Sequence, residues 1–552
     1  MAAPIERAKP AATAHAASSW SPFRHRAFAV LWGATVVSNI GTWMQNAAAG
    51  WMMTGLDPDP LIVSLVQVAT SLPMFLFAMP AGALADILDR RRLLIVVQIL
   101  ATVVIVILGL LVWLDRMTPF LLLAFTFLVA AAAALIAPAW QAIVPQLVPK
   151  PDLQPAVALN SAGFNVSRAV GPALAGLIIA GWGLAAPFWV NALSNIGVIA
   201  ALIWWRPPET GGHRLPPERF GSAIRAGLRH AAYNPHLRST LIRAAGFFLF
   251  ASAYWALLPL VARQQVAGGP ELYGILLGAI GAGAVGGALL LPLLKDLLGP
   301  DRLVIAGAVG TALALLAFAL ARTPTVALAA SAVAGVAWIA VLSTINVSAQ
   351  LALPPWVRGR GLAVFVTVQF GAMTLGSALW GQLGSLLGLP AAHFIAMAGL
   401  LLTIPALWRW KLQTAGDIDL TPSMHWPEPV LSRDIEADRG PVMVTVEYRV
   451  AREHRAAFLT AIASLAAERR RDGAYDWDVY EDAAEEGRFV ETFLVDSWLE
   501  HLRQHERVTN ADRVLQEALH RHSSTAPKVT HLIAADFTED RERAEPKAEV
   551  LR

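Results

Sequence analysis

Arg168 is the residue whose type and position most need explaining. It sits about 12 residues into the apolar run Ala156–Gly181, roughly 18 Å along a helix axis. A guanidinium at mid-bilayer costs roughly 2.5–3.5 kcal/mol on insertion scales, so such residues face a cavity or a partner. Ser161, Asn165, Arg168 and Pro172 share one helical stripe. Two readings follow. Either Arg168 contacts an anionic or polar part of a bound molecule in a central cavity, or it bonds to carbonyls of a neighbouring helix.

Other polar residues inside apolar runs point the same way. Asn39, Trp43 and Asn46 are spaced i, i+4, i+7 and share a face. Gln45 lies in that same first run, and Gln67, Asn160, Asn346, Gln350 and Gln369 lie in the second, fifth, tenth and eleventh. The third, ninth and twelfth runs are almost wholly aliphatic, so the two sets read as cavity-lining and lipid-facing. The sixth run, with Asn191 and Asn195, breaks that pattern. Trp255 and Trp338 are placed to stack on a ligand or to anchor at the membrane interface. No Asp or Glu lies deep in any run.

The elements that must position these residues are membrane spans. Mean hydropathy is +0.52 over 552 residues, and only 15% are charged, against about 25% in soluble domains. With no cysteine, disulfides, thiolate metal sites and thiol catalysis are excluded. The expectation is twelve helices: Ala27–Trp51, Leu61–Ala83, Leu93–Leu114, Pro119–Ile143, Ala156–Gly181, Pro187–Trp205, Thr240–Val261, Leu272–Leu294, Leu303–Ala321, Val326–Leu351, Gly361–Leu387 and Ala391–Trp408. Each approaches or exceeds the roughly 20 residues a span requires. One set of loops carries 20 Lys and Arg, the other only Arg116, Arg263 and Arg322. The positive-inside rule therefore puts both termini in the cytoplasm, and the expected location is a bacterial inner membrane. Residues 1–20 lack the apolar core of a cleavable signal and read as disordered. Between the halves 21–205 and 240–412 lies a basic linker, 206–239, in which Glu218–Ala232 reads as an amphipathic helix on the membrane surface.

Repeats support two parallel halves. Gly82-Ala83-Leu84 recurs as Gly287-Ala288-Leu289, and Gly171–Gly176 recurs as Gly376–Gly381, both at an offset of 205. The hinge Gly82–Arg92, GALADILDRRR, joins two spans with three arginines. Its Gly82, Asp86, Arg90 and Arg91 resemble the signature of the major facilitator superfamily, although Ile87 and Asp89 depart from it. Ser167, Gly171, Pro172 and Gly176 resemble the glycine-rich fifth helix of that superfamily's antiporters. Small residues there let helices approach closely. Pro138–Gly176 and Leu353–Phe365 resemble its enterobactin-exporter-like, transmembrane secretion effector branch.

The resemblance implies a twelve-helix transporter that exports drugs or siderophore-like metabolites by alternating access, with Asp86, Arg90 and Arg91 controlling the cytoplasmic contact between halves. The implied cavity set is Asn39, Trp43, Asn46, Asn165, Arg168, Trp255, Trp338, Asn346 and Gln369. The resemblance also implies proton coupling, and Arg168, His393 or Asp86 would have to serve. Import by the same fold stays open. The expected partners are a small-molecule substrate and the bilayer, with no nucleic acid, metal or cofactor. No GxxxxGK[ST] loop is present to bind ATP.

After a polar linker, 413–440, residues 441–537 read as a small soluble α+β domain of order βαββαβ, which is ferredoxin-like. It resembles the antibiotic-biosynthesis monooxygenase type of domain. Trp477, Trp498, His501, His505 and Asn510 are its candidate chemical residues; a dimerising or regulatory module is the favoured reading over catalysis. A membrane-tethered enzyme or sensor acting through this domain is the alternative function. Residues 538–552 read as a disordered tail.

Overall fold

The computed structural model describes residues 18–207, 220–412 and 439–535, together with 419–423, 425, 426 and 436. Most of the expected disordered ends, residues 208–219 of the first linker and most of the second linker fall outside the described residues, as does the side chain of Asp86. The first six helices are α1 (Arg26–Leu56), α2 (Pro60–Ile87), α3 (Arg90–Trp113), α4 (Pro119–Ile143), α5 (Leu153–Trp182) and α6 (Ala186–Trp204). A short helix α7 (Phe220–Tyr233) precedes α8 (Pro235–Leu260), α9 (Pro270–Leu320), α10 (Pro324–Leu351), α11 (Arg358–Leu387) and α12 (Leu389–Ala406). Prolines open many of these helices, where the missing N–H costs nothing. Asp59, Asp89 and Asn234 cap α2, α3 and α8 by accepting backbone N–H bonds. The charged hinge is tighter than its sequence implies. α2 stays helical through Ile87, and only Leu88 and Asp89 separate it from α3.

Eleven of the described helices are long and apolar enough to cross a membrane. α9 has 51 residues and would be roughly 77 Å long if straight, more than twice the hydrocarbon core. It bends back at Gly299, whose φ of 70° and ψ of 169° break the helix in a conformation open to glycine. A Cβ on Gly287 would touch Val336 and Ile339 of α10, and one on Gly307 would touch Ala337 and Val341. Two distant stretches of α9 thus meet the same turn of α10, so its arms run antiparallel and the described residues make twelve crossings.

The sequence repeat is a repeat of contacts. Gly171 packs α5 on Ile40 and Trp43 of α1; Gly376 packs α11 on Leu249 and Ser252 of α8. Gly176 meets Pro270 and Glu271 at the start of α9; Gly381 meets Pro60 and Ser64 at the start of α2. Each half thus presses one glycine-bearing helix against the other half. The asparagines of α6 also find their reason. Asn191 donates to Gln45 of α1 at 2.7 Å, and Asn195 accepts from Ser38 at 2.6 Å and Gln98 at 2.9 Å. Gln45 is therefore a packing residue, buried against α6.

The small domain runs β1 (Val442–Arg449), α13 (Arg455–Arg471), β2 (Tyr475–Glu481), β3 (Arg488–Val495), α14 (Trp498–Arg507), α15 (Asn510–His520) and β4 (Lys528–Ile533). Its four strands form one antiparallel sheet of order β2-β3-β1-β4. Val444, Tyr448, Phe458, Ile462, Phe489 and Phe493 build the core between sheet and helices. α7 does not lie free on a lipid surface. Its buried His230 packs edge-on to Trp356 before α11, and Arg229 pairs with Glu500 of α14 at 3.7 Å. Arg507 of α14 also stacks on Trp356 at 4.5 Å. The small domain is thereby docked on the bundle through α7 and the α10–α11 loop.

Candidate substrate site

Four helices, two from each half, converge on Arg168. Its guanidinium carbon lies 5.7 Å from the ring of Trp43 on α1, 5.2 Å from Trp255 on α8 and 5.8 Å from Trp338 on α10. Each such contact is worth about 0.5–2 kcal/mol. Tyr254 backs this box, 5.5 Å from Trp255 and 6.3 Å from Trp338. The box is unfinished in its polar contacts. Arg168 Nε, Trp255 Nε1, Trp338 Nε1 and Tyr254 Oη are all buried with no hydrogen-bond partner. Each such group costs about 1–3 kcal/mol. Three donors around a guanidinium whose own Nε is also unpartnered suit an acceptor-rich, anionic group, with apolar ring surface on either side.

Of the predicted cavity set, Trp43, Arg168, Trp255 and Trp338 meet. Asn39 and Asn46 flank Trp43 on α1 and are half-buried. Asn165 instead donates to Ser161 O at 2.9 Å, one turn away. Asn346 accepts from Gln350 at 2.6 Å, about 12 Å along α10 from Trp338. Gln369 is buried on α11. Tyr254 was not singled out from sequence; its adjacency to Trp255 was the available signal. The alternative for Arg168, bonding to helix carbonyls, is not what its Nε does.

The halves also touch beyond the box, where Gly371 of α11 packs on Phe75 of α2. At the α1–α2 end they are joined: Arg263 donates to Thr54 at 2.9 Å and stacks on Trp51 at 5.3 Å. Ser385 donates to Asp59 at 2.8 Å, and Trp51 stacks on Tyr273 at 6.0 Å. Glycines of α9 press on Ala169 and Pro172 of α5. One turn beyond Arg168 toward the α2–α3 end, Phe164 packs edge-on to Trp43 yet is half-exposed. Cβ atoms on Gly82 and Gly286 would meet open space. At that end Arg90 donates to Ala85 O at 3.1 Å. Arg91 donates to Leu202 O at 2.8 Å and Ile203 O at 2.7 Å, tying α3 to the end of α6 within one half.

In the small domain, Trp477 donates to buried Glu491 at 2.9 Å, beside Arg469 and Tyr448, in a closed network. The cavity between α13, α14 and α15 measures about 10 Å³ and is lined in part by Trp426, room for one water. Asn510 bonds Asp419 and Thr421 of the incoming linker.

Two paired six-helix halves with a polar box between them define a transporter of the major facilitator type. The chain belongs to the transmembrane secretion effector family, whose description matches residues 17–539 and so includes the small domain. It is 28% identical over 425 residues to the multidrug efflux pump Tap of Mycobacterium tuberculosis, covering 74% of this chain and 98% of that one. It is 26% identical to the staphyloferrin A transporter of Staphylococcus aureus, over 46% of this chain and 64% of that one. Among solved structures, a bacterial homologue of the lysosomal transporter Spinster, inward-facing and unoccupied, shares the fold at TM-score 0.54 and 17% identity, covering 70% of this chain and 95% of that one.

Proposed function

We propose that this chain exports small organic molecules, of the drug or siderophore class, that offer an anionic or strongly accepting group to Arg168 and flat apolar surface to its three tryptophans. The observation carrying this reading is the set of four unpartnered buried donors in a box drawn from both halves. A site shared between halves is remade whenever they rock, which is what alternating access requires. The positive-inside charge makes the α2–α3 end cytoplasmic, the side from which an exporter loads its cargo. The efflux relatives support the outward direction. The small domain regulates through its dock on α7.

The test is accumulation of dyes, antibiotics and siderophores in cells lacking their own efflux pumps. Expressing cells should hold less of at least one acidic compound, and Arg168→Gln at equal membrane abundance should erase the difference. In proteoliposomes, equal transport of an acid and its neutral methyl ester would overturn the anionic-group assignment. Removing residues 413–552 should leave some efflux; complete loss would favour the tethered-enzyme reading.

A further inference from the structure

Three histidines of the small domain meet outside the transport pathway. His501 and His505 stand one turn apart on α14, and His531 lies on β4, an edge strand of the sheet. Their candidate ligand nitrogens all lie within 4.8 Å of one another. The Nε2 atoms of His501 and His505 are 3.3 Å apart. Two imidazole nitrogens on a tetrahedral zinc, each about 2.0–2.1 Å from the ion, are separated by about 3.3 Å.

The surroundings fit as well. His501 is buried, and its Nδ1–H donates to Gln504 Oε1 at 3.4 Å. That contact favours the tautomer whose Nε2 lone pair faces His505, as outer partners of metal-bound histidines do. Trp498 packs on His501 and His531, and Trp426 packs edge-on to His505.

We propose that His501, His505 and His531 form a three-histidine site for a divalent transition metal such as zinc. His531, half-buried on its edge strand, swings inward to complete the set. Three protein ligands leave a fourth position for water. The site belongs to the docking helix: Glu500 and Arg507, which hold α14 to α7 and Trp356, flank it on the same helix. Sequence spacing alone gave no expectation of a metal, because His531 joins the pair only through the sheet.

The experiment uses the full chain in detergent, purified without a histidine tag and stripped with chelator. Zinc(II) is titrated by calorimetry, and cobalt(II) is added as a visible-absorption reporter. The expected result is one ion per chain, lost in His505→Ala and His531→Ala. Gln504→Ala should weaken affinity about 10–100-fold. Circular dichroism matching that of wild type establishes that each variant is folded. No stoichiometric ion in wild type would overturn the proposal, as would undiminished binding by folded His531→Ala.

Discussion

Replacing Arg168 by glutamine separates a transport role from a structural one. The folded chain spends about 1–3 kcal/mol on its unpartnered Nε and recovers about 0.5–2 kcal/mol from each of three tryptophans. It also carries the cost of burying the charge. These contributions oppose one another, so Arg168→Gln should move the melting temperature in detergent by no more than about 2–4 °C. A cargo that pairs with the guanidinium loses a charge-assisted bond worth about 1.5–3 kcal/mol. That is roughly a 10–150-fold loss of apparent affinity. Arg168→Lys keeps the charge without the planar fork that stacks on indole, and should fall between. Trp338→Phe keeps the ring and removes one orphan donor, so it should weaken transport without lowering stability. The assay is concentration-dependent efflux from proteoliposomes, with thermal melts on the same samples. A fall in melting temperature of 10 °C or more, with transport lost only in proportion to unfolded protein, would refute the reasoning and make Arg168 a structural strut.

Since the chain has no cysteine, engineered pairs report without background. A Cβ on Gly278 would lie 3.3 Å from that of Ala173, near disulfide range; Ala173→Cys with Gly278→Cys should cross-link on oxidation, arrest transport, and recover on reduction. Full cross-linking with unchanged transport would sink alternating access at this pair. Arg91→Ala should lower the melting temperature, since it frees the last carbonyls of α6, whereas Asp86→Asn should lower efflux at unchanged expression; unchanged efflux would remove the gating role. In the small domain, burial pushes the Glu468 carboxyl up to about 9, with Asp512 adding to it. The folded state holds this proton after the unfolded chain has released it. Its contribution to stability is therefore fully present below about pH 4.5 and declines progressively as pH rises to 9. Glu468→Gln should flatten that decline in thermal melts taken between pH 5 and 9; an identical slope would show that Glu468 is not the group responsible.

The spans, the doubled architecture and the small domain's element order were legible because each rests on local pattern. Hydropathy over about 20 residues identifies a crossing whatever its neighbours are, and a repeat at constant offset survives in the glycines that pack equivalent helices. The hinge was placed within a few residues, and Asp89 narrowed it by capping α3. The polar residues divided differently. Asn191, Asn195 and Gln45 read as anomalies or as cavity residues, because a sequence does not say which helix a side chain faces. Folding made them ties between α1, α3 and α6. Arg168 was visible as a charge in an apolar run; that it stands on three indoles from three other helices follows only from how the halves meet. The amphipathic α7 was legible as a helix, but its burial between bundle and small domain was not, since its partners come from residues more than 100 positions away. The same holds for His531, which a sheet edge brings to two histidines of α14. Sequence by itself determined which segments cross and that they come in two related sets, because burial in lipid is read one segment at a time. Tertiary structure alone decided which polar groups are satisfied and which are left without a partner, because hydrogen bonding is settled only when every neighbour is in place.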